Sequence, residues 1–101
     1  MTRDMIVARL KTHKAEIRAK GVQHLALFGS RMRSDHRKDS DLDVLVDIDP
    51  KLKRFTLLDI VAVKRTLDEI LGLETNIVER KTIKPNSSFA ERIADDIVEV
   101  F

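Results

Sequence analysis

The chain has 101 residues, 43% hydrophobic and 36% charged, with nineteen Lys and Arg against seventeen Asp and Glu and a net charge of +2. This predicts one domain over residues 1–101, and three glycines, two prolines and no cysteine exclude collagen-like chains, disulfide frameworks, thiolate nucleophiles and zinc fingers. No apolar run approaches the ~20 residues of a membrane span, the N-terminus MTRDMIVARL lacks a signal-peptide core, so a cytoplasmic protein is expected, and four aromatics, all Phe, supply no base-stacking platform.

Residues 2–20 read as a helix, with Thr2 as its cap, Ile6, Leu10, His13 and Ile17 at helical spacing, and Gly21 as its stop. Val22 to Phe28 reads as a strand whose fully apolar end predicts a sheet covered by helices. A polar, basic stretch follows, and Leu42 to Val46 is a second buried strand. Pro50 breaks the next loop. Thr56 and Asp59 have capping-box spacing, which opens a helix with Leu57, Leu58, Val61, Leu67, Ile70 and Leu71 on its expected buried face. Gly72 ends that helix, and Thr75 to Val78 reads as a third strand. Ser88 and Glu91 open a last helix through Ile93, Ala94 and Ile97, and Val98 to Phe101 is an apolar tail, either a docking segment or a short edge strand. The order predicts a small α/β (α+β) domain: one mixed sheet of three or four strands with helices packed on it.

The chemistry concentrates between Gly29 and Val46. Asp41 and Asp43, two apart on a strand, leave the same face with Cα atoms roughly 6.6 Å apart. Two carboxylates at that spacing can converge on one hard cation such as magnesium, which binds one or two carboxylates together with substrate phosphates. The competing reading is a strand-entry turn with solvated aspartates. Gly29 and Ser30 weigh against it: glycine allows close backbone approach, successive N–H groups can form an anion nest, and the serine hydroxyl adds a donor. Arg31, Arg33, Arg37 and Lys38 make the intervening loop cationic. Donors, cations and a carboxylate pair together suit a triphosphate. His13 and His24 read as packing and sheet residues and His36 as a solvated loop residue; none has zinc-site spacing.

The segment GSRMRSDHRKDSDLDVLV resembles the signature of the polymerase-beta-type nucleotidyltransferase superfamily, and the short chain resembles its minimal nucleotidyltransferase branch, the antitoxin partner of HEPN-domain proteins. The resemblance implies a polymerase-beta-like nucleotidyltransferase fold. It implies that Gly29 and Ser30 hold the nucleotide phosphates, with Arg31 and Arg33 neutralising their charge, and that Asp41 and Asp43 bind Mg2+ in catalysis. It further implies ATP as the donor and transfer of its nucleotidyl group to a hydroxyl, here a tyrosine of a HEPN-type partner in a hetero-oligomer. The family's third catalytic carboxylate lies on the strand after the second helix. The matching residue here is Asn76, whose amide cannot accept a proton at neutral pH. Glu74, of the same strand parity, is the alternative carboxylate; Glu79 has the opposite parity. Two other readings remain: a pseudo-enzyme that neutralises its partner by binding alone, and a small nucleic-acid-binding domain using Arg31 to Lys38, which leaves Asp41 and Asp43 without a role.

Overall fold

The structure, a computed structural model, describes residues 2–28, 42–52, 54–83 and 97–101. Its elements run α1 (Arg3–Thr12), α2 (Lys14–Ala19), β1 (Val22–Phe28), β2 (Leu42–Ile48), α3 (Leu57–Leu71), β3 (Thr75–Glu79), a 3-10 turn (Arg80–Thr82) and β4 (Val98–Glu99). The four strands form one mixed sheet in the order β3-β2-β1-β4. β1 is antiparallel to β2 and to β4, while β2 and β3 run parallel, joined by α3 as the crossover that parallel pairing requires. No helix among the described residues is long and apolar enough to cross a membrane.

Thr2 caps α1 as expected, accepting from the Met5 amide at 3.3 Å. The single predicted helix is two: it breaks at His13, just after Thr12, whose hydroxyl donates to the Ala8 carbonyl at 2.9 Å, a back-bond that bends helices. His13 is not core packing; its side chain is half-exposed and meets Glu16 at 3.1 Å. His24 is exposed beside the irregular start of the β1–β2 ladder. Ile6, Leu10 and Ile17 are buried as their spacing predicts.

The main core lies between the helices and one face of the sheet: Leu25, Leu27, Leu42, Val44 and Val46 pack with Val63, Leu67 and Leu71 of α3. The other face carries a smaller cluster, Ala26, Phe28 and Leu45, covered in part by Val78, Ile83 and Ile97. Arg80 spans this side, 3.3 Å from Asp47 on β2 and 3.1 Å from Glu99 on β4.

The expected buried face of α3 needs correction. Leu57 and Leu58 are 79% and 80% exposed and Val61 47%, whereas Val63, which the sequence reading omitted, is buried. Val63, Leu67 and Leu71 repeat every four residues along one line; at ~100° per residue Leu58 falls on the opposite side from Leu67. The Thr56–Asp59 capping box opens α3, and Gly72, at φ +65°, closes it. β2 runs two residues past Val46. The apolar tail is the edge strand: the Val100 amide donates to Leu25 O at 2.9 Å, and the Phe101 ring lies under Lys14 and Arg18. The helix expected from Ser88 lies outside the described residues.

Candidate active site

One end of the sheet gathers the last residue of β1 and the first residues of β2 and β3. The antiparallel register puts Phe28 opposite Asp43, and the parallel register puts Asp43 opposite Asn76. The two strands thus bring together residues 43 and 76, which lie far apart in the chain. The Asn76 amide nitrogen donates to Asp43 Oδ1 at 3.2 Å. Asp43 is half-buried and Asn76 exposed, so the pair faces solvent at the strand ends. Gly29 directly follows Phe28 and Asp41 shortly precedes Asp43 in the sequence; Gly29, Ser30, Arg31, Arg33 and Asp41 all lie outside the described residues, as does His36.

The start of β3 is held by a network that the sequence reading did not identify. Asp68 on α3 accepts from the Thr75 amide at 2.8 Å, the Thr75 hydroxyl at 2.7 Å and Lys64 Nζ at 2.6 Å. Thr75 is buried, so losing Asp68 would strand two donors. Burial alone would raise the Asp68 pKa, but the hydrogen bonds from Lys64 and Thr75 outweigh it and hold the carboxyl below its ordinary value. Hydrogen bonds to Asp68 and Glu74 raise the Lys64 pKa. The i,i+4 spacing of Lys64 and Asp68 was a readable signal; the reach from Asp68 to Thr75 was not, because it crosses the turn at Gly72.

This network also decides where Glu74 goes. Glu74 precedes β3 and is not bound by the strand's alternation; its carboxylate meets Lys64 Nζ at 2.9 Å, not the Asp43–Asn76 pair. Its carbonyl accepts from the Leu42 amide at 3.1 Å, which sets the register that places Asn76 beside Asp43. Glu79, at the far end of β3, pairs with Lys81 at 3.4 Å. Among the described residues the strand ends hold the Asp43 carboxylate and the Asn76 amide; carboxylate and amide oxygens are the ligand type of hard cations.

Comparison with known proteins gives three findings. Residues 10–99 match the family model described as a nucleotidyltransferase domain. The chain is 32% identical over 103 residues to the protein adenylyltransferase MntA of Thermococcus cleftensis, covering 99% of this chain and 97% of that one. Among solved structures, a candidate minimal nucleotidyltransferase superposes with a TM-score of 0.75 at 28% identity, over 97% of this chain and 95% of that one. A chain from the structure of a tri-AMPylated Shewanella oneidensis HEPN toxin in complex with an MNT antitoxin superposes with a TM-score of 0.60 at 13% identity, over 90% of this chain and 68% of that one, a likeness of fold.

Proposed function

Since the chain belongs to the family of nucleotidyltransferase domains, we propose that it transfers the AMP group of ATP to a hydroxyl of a protein partner, a tyrosine of a HEPN-type toxin, and so acts as an antitoxin. The observation that carries the reading is the near full-length likeness to a protein adenylyltransferase; Asp43, paired in register with Phe28 near the start of β2, is in keeping with it. Leu57 and Leu58, exposed at the start of α3, give a partner apolar surface to cover.

In this reading Gly29 and Ser30 bind the phosphates through backbone N–H groups and a hydroxyl, and Arg31 and Arg33 offset their charge. Asp41 and Asp43 would hold a divalent cation, magnesium, which would supply positive charge to the phosphates. The acceptor oxygen forms a bond to the α-phosphorus, pyrophosphate leaves, and the hydroxyl proton passes to a base. Asn76 cannot be that base. The chain therefore turns over slowly, leaving the proton to solvent or to the partner.

The test is incubation with ATP labelled at the α-phosphate, magnesium and the protein encoded by the neighbouring reading frame. Label on a tyrosine of that protein, absent with chelator and in Asp41→Asn/Asp43→Asn, is expected. Partner neutralisation that persists without transfer would overturn the enzymatic reading in favour of antitoxin action by binding alone, the alternative that Asn76 favours.

A further inference from the structure

The end of the β1–β2 ladder away from Asp43 holds a second concentration of charge. There the turn at Gly21 enters β1, and Val22 pairs with Ile48. The Asp49 amide donates to the Gly21 carbonyl at 2.9 Å and the Leu52 amide to the Asp49 carbonyl at 3.1 Å, so the loop after β2 folds back on this turn. A pocket of about 230 Å³ lies here, with Leu52 and Phe55 as its apolar wall and Arg18, Lys20 and Arg54 as its cations. Gly21 has φ +103°, and a Cβ there would stand 2.8 Å from Leu52 Cδ1 and 3.1 Å from Phe55 Cε2, so the wall is packed against bare backbone.

Two carboxylates, Asp49 and Asp59, also line the pocket, yet neither neutralises the cations. Asp49 Oδ1 accepts from the Lys51 amide at 2.9 Å, and Asp59 Oδ2 accepts from the Thr56 amide at 2.7 Å and the Thr56 hydroxyl at 3.0 Å. Among the described residues, Arg18, Lys20 and Arg54 make no ion pair. The Arg18 guanidinium stacks 5.5 Å from the centre of the Phe101 ring, which orients the planar group and leaves its N–H donors free. Three positive charges around one pocket repel each other, and an anion between them relieves that repulsion. The guanidinium fork matches phosphate oxygens in particular.

We infer that this pocket is a binding site for a small phosphate anion, remote from Asp43. The inference goes beyond the transfer reaction and stands whether or not that reaction is the chain's own. Size and charge pattern set the ligand class. The volume falls short of the ~300 Å³ at which pockets for larger organic ligands begin, and Asp49 and Asp59 interrupt the run of cations that a polynucleotide backbone needs.

Pyrophosphate is the probe, titrated into isotope-labelled protein in magnesium-free buffer at constant ionic strength, with backbone amide chemical shifts reporting where it binds. Saturating shifts are expected at Gly21, Leu52 and Phe55. Lys20→Gln/Arg54→Gln is expected to weaken binding at least ~5-fold, since two charged contacts are lost. Arg65→Gln, which removes an exposed cation of α3 that does not line the pocket, should leave affinity within ~2-fold, because distant charges are screened. Lys20 and Arg54 are exposed, so the double variant keeps the fold. Equal affinity in the wild type and Lys20→Gln/Arg54→Gln overturns the inference, as does a titration in which only Thr75 and Asn76 shift, or no amide does. An equal loss in Arg65→Gln means that net charge alone is being read, and overturns it too. A mixed-sequence RNA oligonucleotide is the last arm and is expected to bind more weakly than pyrophosphate. If it moves the same amides and binds more tightly, the surface is a nucleic-acid track and the small-anion assignment fails.

Discussion

Asn76 and Asp68 act on the same strand from opposite directions, one at its solvent-facing start and one beneath it. At Asn76 the missing function is proton acceptance. A positioned general base contributes typically ~10²–10⁴-fold, so Asn76→Asp is expected to raise AMP transfer at least ~10-fold over the wild type. Single-turnover labelling of the partner measures it, and an unchanged rate would show that the base lies elsewhere. Glu74→Gln should leave the rate unchanged, because its carboxylate is engaged by Lys64. At Asp68 the effect is on stability. Its carboxyl is held below the ordinary value of 3.8, so its contribution is fully present above that value and disappears as pH falls through the lowered one. Asp68→Asn is expected to cost about 1–3 kcal/mol at neutral pH, the range for hydrogen bonds to a charged group. The melting-temperature gap to the wild type should close as the medium is taken below pH 3.8. A gap that persists in acid would mean that the charge of Asp68 contributes nothing.

At the scale of elements, α3 separates what hydrophobicity can reveal from what it cannot. Leu67 is buried and Leu58 is 80% exposed, although the two are the same residue on the same helix. Leu67→Ala should cost about 2–5 kcal/mol, whereas Leu58→Ser should stay within about 0.5 kcal/mol, as surface substitutions do. Paired urea melts compare them directly; equal losses would place Leu58 in the core. The helix start and stop are legible in the sequence because Thr56, Asp59 and Gly72 have local chemistry that needs no tertiary partner. Its orientation is only half legible: Leu57, Leu58 and Val61 make an apolar group of their own, and a 3.6-residue period accommodates two such groups on one helix. β1 and β2 are legible from the apolar runs Leu25 to Phe28 and Val44 to Val46. That Asp43 and Asn76 are neighbours is not, since neither strand's own pattern encodes the register between them; the family resemblance singled out Asn76 as the position of a third carboxylate but gave no strand pairing. The break at His13 was hidden because the apolar spacing continues through it.

For the whole molecule, the sheet order places β4, the last strand, against β1, the first. Ala26 pairs with Glu99 and Leu27 with Val98, and Val100 is buried behind them. Val100→Asp would bury an unpaired charge in this seam and is expected to cost more than ~3 kcal/mol. A denaturation midpoint near that of the wild type would show that the seam carries little of the fold. The same seam has a consequence during translation. Until Val98 and Glu99 have left the ribosome, β1 presents one bare edge along Leu25, Ala26 and Leu27, an open template for strands of other nascent chains. The hazard of misassociation therefore persists until Val98 and Glu99 emerge, so ribosomes stalled just before Val98 should carry chains that chaperones capture, and ribosomes stalled well beyond Phe101 should not.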